Sequence, residues 1–217
     1  MNPVWIAGNG VVILSCVACM VHLSRTLRPW DRSAFPILGL ALFAVTALVT
    51  GLQFVLPEIV PALQRDAERL TAGEVWRVVT PLFVQPGGLG QALPNVFFLI
   101  AFVPLAERVY GWGMLAIYFA AGIAGQLSNY AWGVGGGGSS TAAFGVMGGL
   151  FVYVLRQRGR LSTIYAALAG LGLAAGVVLV VFRDSHGVGL LAGAFVALAL
   201  PLRTLSLASK EPSSYEA

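Results

Sequence analysis

Three short stretches of this sequence hold side chains that could do chemistry, each at the start of an apolar run. The first is Gly135-Gly136-Gly137-Gly138-Ser139-Ser140-Thr141, which leads into Ala142-Ala143-Phe144-Gly145. Hydroxyls at a helix start sit beside free backbone N–H groups, so Ser140 is a candidate nucleophile with a ready oxyanion site. The same residues also make an ordinary N-cap after a flexible glycine loop. The second stretch is Asp184-Ser185-His186-Gly187-Val188-Gly189. Of the two histidines, His22 lies beside Arg25 at a helix end and reads as interfacial, while His186 opens an apolar run and is a candidate general base. The third is Gln91-Ala92-Leu93-Pro94-Asn95, where Pro94 suits a first helical turn. An amide at Asn95 could donate to a developing oxyanion, or simply bond a neighbouring helix.

The elements that would position these groups follow from composition. The chain has 217 residues, 58% apolar and 10% charged, with a mean hydropathy of +0.83. Soluble domains run at about 45–50% apolar and about 25% charged. These values exclude a disordered chain, a nucleic-acid binder and an ordinary soluble enzyme, and predict an all-α, polytopic membrane helix bundle. Seven apolar segments are expected, at 4–23, 34–56, 92–108, 112–132, 140–157, 162–182 and 187–204. The first is interrupted by Gly8-Asn9-Gly10, and its Cys16 and Cys19 read as small packing residues, not as a redox or metal pair.

With the N-terminus outside, the odd connections and the C-terminus carry nine Lys and Arg residues: Arg25, Arg28, Arg32, Arg108, Arg156, Arg158, Arg160, Arg203 and Lys210. The even connections carry four: Arg65, Arg69, Arg77 and Arg183. This asymmetry predicts a multi-pass cell-membrane protein with its N-terminus out and its C-terminus cytoplasmic. The Lys-poor, Ala-, Gly- and Arg-rich composition leads us to expect a bacterial source. The long connection at 57–91 is expected to lie on the outer surface. It would carry an amphipathic stretch from Ile59 to Leu70, a capping box at Thr71-Ala72-Gly73-Glu74, and Trp76 and Arg77 at the headgroup layer, ring in and charge out. Residues 205–217 read as a polar, disordered tail.

In this topology the segments beginning at Ser140 and His186 both enter from the outer face, so the two residues share a depth. Gly145 and Gly149 on one segment, and Gly189 and Gly193 on the other, offer small faces for close helix approach. Close approach is what a serine–histidine hydrogen bond of about 2.6–3.2 Å requires. The glycines alone are equally consistent with plain packing.

Taken together, these motifs resemble the rhomboid intramembrane serine proteases. Gly138-Ser139-Ser140-Thr141 is similar to the family's nucleophile motif, and Ala142 to Gly145 to the residues that follow it. His186-Gly187-Val188-Gly189 with Gly193 resembles the histidine helix. Trp76-Arg77, Glu107-Arg108, and Tyr118 with Gly122 resemble three further family signatures. The resemblance covers roughly residues 34–204 and implies a six-helix core preceded by one extra N-terminal helix, with residues 1–30 forming that helix and a basic cytoplasmic loop. It implies Ser140 as nucleophile and His186 as base, with no required aspartate, and gives no reason to make Asp184 a third member. Asn95, Gln91 and the Ser140 N–H would serve the oxyanion, and Phe144 would pack beneath the histidine ring. Gly138, Gly145, Gly189, Gly193, Trp76 and Arg77 would support the site. Two positions depart from the family: Gln91 and Gln85 stand where histidines are common. Glutamine can donate through its amide but cannot titrate.

The function expected is a serine endopeptidase that cuts transmembrane protein substrates in or next to their spanning segments. It would work within the lipid bilayer, without a cofactor or metal and without a nucleic-acid partner. The alternative is an impaired relative that binds transmembrane helices without cutting them. A small transporter would need polar residues spread through the membrane depth, and here they cluster at one side.

Overall fold

The structure is a computed structural model that describes residues 2–26, 35–159 and 161–203. The expected tail and much of the basic first connection, with Arg28, Arg32, Arg160 and Lys210, lie outside the described residues. Seven long helices account for most of the rest: α1 (Pro3–Thr26), α2 (Ile37–Val55), α5 (Leu89–Tyr110), α6 (Gly113–Ala131), α7 (Ser140–Arg156), α8 (Thr163–Val181) and α9 (Ser185–Ala199). Two short helices, α3 (Ile59–Leu63) and α4 (Ala67–Thr71), and two 3₁₀ turns at Val75–Val78 and Thr80–Phe83 fill the long connection. Among the described residues the only β pairing is an isolated antiparallel bridge between Arg65 and Gly136. The chain is an all-α helical membrane bundle.

Helices α1, α2, α5 and α8 are long and apolar enough to cross a membrane, and α7 and α9 are shorter apolar helices. Large apolar side chains such as Leu14, Leu48, Phe97, Ile164 and Phe195 point away from the protein. In water these would be a liability, whereas in lipid they face a like solvent. The core is built around α7. Every residue from Thr141 to Val154 is buried, which is why this helix is rich in Gly and Ala: it has neighbours on all sides. Helices α6, α8 and α9 and the end of α5 pack around it, with Phe102, Tyr118, Met147, Leu150 and Phe151 at the centre.

Helix α1 lies mainly along α8. Its buried stripe is Val12, Cys16, Cys19 and Leu23, spaced four, three and four residues apart on one helical face. The two cysteines are free and buried in that stripe. His22 stacks on Tyr165 of α8, with ring centroids 3.9 Å apart.

The long connection departs from the sequence reading in three ways. The amphipathic stretch breaks at Gln64–Asp66 into two short helices, with Asp66 capping the second by accepting from Arg69 N at 3.1 Å. No capping box forms at Thr71: this residue ends α4 with its hydroxyl turned back to the carbonyls of Ala67 and Glu68, and Glu74 instead accepts from Arg77 Nε at 2.7 Å. Arg77 does not turn its charge outward. Only 1% exposed, it donates to the carbonyls of Pro61 and Gln64 at 3.1 and 2.7 Å, tying the connection together from inside. Its neighbour Trp76 is 51% exposed. Unpaired carbonyls in a compact loop are costly to bury, and a guanidinium fork satisfies several at once.

Candidate active site

The chain reaches Ser140 through a glycine run that is held at every step. Arg65 donates to the carbonyls of Val134 and Gly135 at 3.1 and 2.8 Å and to Gln126 Oε1, while its own N–H bonds Gly136 O at 2.7 Å. Burial lowers the Arg65 pKa to about 10, so it stays protonated near neutral pH. Gln91 Nε2 donates to Gly137 O at 2.7 Å, and Gly138 N donates to Pro81 O at 2.7 Å. Gly138 has φ +139°, and a Cβ there would strike Gln91 Nε2 and lie 3.4 Å from Asn95 Nδ2. Only glycine fits, because the amides of Gln91 and Asn95 converge on this backbone.

Ser140 is the first residue of α7 and His186 the second of α9. Their side chains meet: His186 Nε2 lies 2.9 Å from Ser140 Oγ. The other ring nitrogen, Nδ1, lies 2.7 Å from Asp184 Oδ1. That carboxylate is the N-cap of α9, and its Oδ1 also accepts from His186 N at 2.9 Å. Burial would raise the Asp184 pKa. The hydrogen bond and charge of the His186 side chain, with further bonds from the His186 backbone and Asn9, outweigh it and hold the carboxyl below its ordinary value. An ionised carboxylate can only accept, so Nδ1 carries the proton and Nε2 is left as an acceptor for the Ser140 hydroxyl. The Phe144 ring packs against the imidazole with centroids 4.7 Å apart.

The helix pair that holds these groups is set by glycines. A Cβ on Gly189 would collide with Thr141 O, and one on Gly193 with Gly145 O. Gly145 also faces Ala121 of α6. The contact to Leu190 O on α9 is made by Gly148, whereas Gly149 sits 3.1 Å, by a built Cβ, from Ile117 of α6. The second small residue of the α7 face is therefore Gly148, because the α7–α9 interface turns with the helix and Gly149 falls toward α6.

The amides of Gln91 and Asn95 line a cavity together with Ser140 and His186. Asn95 is buried, and its Nδ2 donates to Gln85 Oε1 at 2.6 Å. Gln85 is itself buried and exchanges two backbone–side-chain bonds of 2.8 Å with Gln53 of α2. Helix α5 starts at Leu89, so Pro94 and Asn95 fall in its second turn, not its first. Each amide nitrogen keeps one further hydrogen after these bonds. Neither Trp76 nor Arg77 lines the cavity at Ser140 and His186; the Arg77 side chain bonds within the long connection, and its carbonyl accepts from Tyr130 of α6 at 2.9 Å. A cavity of about 540 Å³ opens beside the pair, lined by Asn9, Arg65, Gln91, Gly138, Ser140 and His186 among others.

Sequence reasoning set Asp184 aside and did not single out Asn9, Gln53 or Gly148. The signal for Asp184 was present as a capping carboxylate two residues before the histidine. Asn9 could be seen only as a polar break in an apolar run, since its partner is 175 residues away.

Comparison with known proteins agrees in kind. The chain is 31% identical over 144 residues to Rhomboid-like protease 3 of Toxoplasma gondii, covering 58% of this chain and 54% of that protein. It is 31% identical over 148 residues to Rhomboid protease GluP of Bacillus subtilis, covering 64% of this chain and 28% of that protein. A third match, Rhomboid-like protease 2 of Toxoplasma gondii, is 35% identical over 85 residues, which is 37% of this chain and 30% of that protein. The chain thus spans about half the length of the first relative and less than a third of the others. With a bacterium and Toxoplasma both represented, the likeness does not single out a bacterial source. The family model described as the Rhomboid domain matches residues 72–204. That stretch is more than half of the chain and runs from the long connection through α9, and the chain therefore belongs to the rhomboid family.

Proposed function

We propose that this protein is an intramembrane serine endopeptidase in which Ser140 is the nucleophile and His186 the general base. The observation that carries the reading is the 2.9 Å approach of His186 Nε2 to Ser140 Oγ, with Nδ1 committed to a carboxylate. Ser140 Oγ adds to a peptide carbonyl carbon as its proton passes to Nε2. The carbonyl oxygen becomes an oxyanion, met by the Ser140 N–H and the spare amide hydrogens of Asn95 and Gln91. Collapse breaks the C–N bond, and the proton on Nε2 goes to the leaving amine. Water then attacks the acyl-enzyme with His186 again taking a proton, and Ser140 is released. The substrate is the spanning segment of another membrane protein. A helix hides its carbonyls, so the cut segment must unwind locally, and small or helix-breaking residues favour it.

Helix α1 stands in this reading as an extra helix ahead of a six-helix core over residues 34–204. The N-terminus lies outside and the C-terminus in the cytoplasm, which puts the cavity at the outer face.

A second reading, a helix-binding relative without activity, draws on Gln85 and Gln91 and on the bonds that already occupy their amides. A fluorophosphonate separates the two. Reconstituted protein is expected to label at Ser140 and to cut a fluorescent transmembrane peptide, while Ser140→Ala and His186→Ala do neither. Equal cleavage by all three would end the dyad assignment, and an unlabelled parent would favour the inactive relative.

A further inference from the structure

We propose that Asp184 and Asn9 are positioning residues for the Ser140–His186 pair, so that the N-terminal helix α1 is a working part of the site. The inference rests on the serine–histidine reading above. The two oxygens of Asp184 are divided between two partners. Oδ1 takes the His186 ring at 2.7 Å, and Oδ2 accepts from Asn9 Nδ2 at 2.8 Å. A capping aspartate needs only the bond to the His186 backbone N–H, so neither the ring bond nor the asparagine bond is explained by capping. Together they fix the carboxylate plane, and the carboxylate fixes the tautomer and tilt of the imidazole that faces Ser140.

Asn9 is an expensive residue in the apolar first half of a helix in lipid. Its Oδ1 is buried without a partner, so the amide is not there to satisfy itself. A leucine would pack there and leave no orphan oxygen; what the amide gains is the carboxylate. The surrounding contacts hold Asn9 in register. Trp5 Nε1 donates to Phe182 O at 2.9 Å, one turn earlier on α1. Gly8 rests on Leu179 of α8, where an added Cβ would come within 2.7 Å of Leu179 Cδ2. These anchors all grip the last turn of α8 and the connection to α9, the backbone that carries Asp184.

The ionisable groups that line the cavity around His186 are Asp184 and Arg183 from the α8–α9 connection and Arg65 from the long loop. Helix α7 offers Ser140 and Phe144, α5 offers Gln91 and Asn95, and α1 offers Asn9, all uncharged. Asp184 is thus the one group among them that favours the imidazolium formed when Ser140 attacks.

The test measures fluorophosphonate labelling and peptide cleavage against pH for the full-length reconstituted chain. The parent is compared with Asp184→Asn, Asp184→Ala, Asn9→Ala and the Asn9→Ala/Asp184→Ala double variant. Asp184→Asn is expected to lower the plateau rate at least roughly tenfold and to move the acid-side inflection to lower pH, because the imidazolium loses its counter-charge. Asn9→Ala is expected to lose about tenfold in kcat with KM unchanged, the size of one hydrogen bond to a charged group. The double variant is expected to be no slower than Asp184→Ala, since Asn9 acts only through that carboxylate. Multiplying losses in the double variant would overturn the inference. So would an unmoved rate and inflection in Asp184→Asn, which keeps both volume and cap and carries the test if the alanine variants fail to fold. Cleavage by Ser140→Ala would instead overturn the underlying reading, so the two failures are distinct.

Discussion

Which nitrogen of His186 holds the proton decides what the residue can do. A ring protonated on Nε2 would donate to Ser140 and could not activate it. The carboxylate at Nδ1 removes that state. The two proposed oxyanion donors differ in what they already bind. Asn95 is buried, and its bond to Gln85 aims its amide beside Gly138. Gln91 spends its bonds on Gly137 O and Gly87 N and so is first a loop anchor. Asn95→Ala is therefore expected to reduce kcat by roughly 10²-fold or more, the usual loss for one oxyanion donor. Gln91→Ala should lose less than Asn95→Ala, and far less than Ser140→Ala. Steady-state cleavage of one peptide by the three variants checks the order. Ser140, His186 and Asn95 could be singled out as candidates from the glycine and proline signals beside them, and Phe144 only through the family resemblance. Asp184 was visible only as a carboxylate two residues before His186, because nothing in a linear sequence says that it also meets the ring.

At the scale of elements, the α7–α9 contact is where small side chains matter most. Gly189→Ala would push a methyl into Thr141 O, so the helices must part and Ser140 must move from His186. Expected effects are about 1–3 kcal/mol of destabilisation and a large loss of labelling. Gly170→Ala on α8, where an added Cβ meets nothing within 4 Å, should change neither. Thermal unfolding in detergent, run beside the labelling assay, separates them. The long connection makes a second test. Arg77→Met would leave the carbonyls of Pro61 and Gln64 without a donor, at about 1–3 kcal/mol each. Arg77→Lys should rescue only part of the lost Tm, because an ammonium lacks the planar fork. The sequence placed Trp76 and Arg77 together at an interface, yet only the tryptophan is exposed. A surface loop of this length has its own carbonyls to satisfy, and the nearest cation turned inward to do it.

For the whole molecule, the Asp184 carboxyl links folding to acidity. Its pKa is held below the ordinary carboxylate value, so its stabilising bonds are fully present above that ordinary value and are lost as pH falls through the depressed one. The parent should lose Tm more steeply than Asp184→Asn on acidification below about pH 4, as measured by thermal melts across that window. Because Asp184 bridges α1 to α9, this loss loosens the bundle at the same end as the site. Orientation belongs to this scale as well. A tag at the C-terminus is expected to be reached by an added protease only after the membrane is opened; a tag cleaved in intact cells would reverse the proposed topology.

The sequence by itself located the seven long helices, with the last ending five residues early at Ala199, because a backbone in lipid must satisfy its hydrogen bonds internally and long apolar runs leave few alternatives. It also placed the Ser140 hydroxyl and the His186 imidazole at helix starts, since caps and glycine runs are local signals, whereas Asn95 falls one turn further into its helix than the proline suggested. Tertiary structure alone decided that α1 reaches the site through Asn9, that Asp184 faces the ring, that Gly148 is the second small residue against α9, and that Arg77 points inward. Each of these is a contact between segments far apart in the chain, fixed by how the helices rotate and pack against one another.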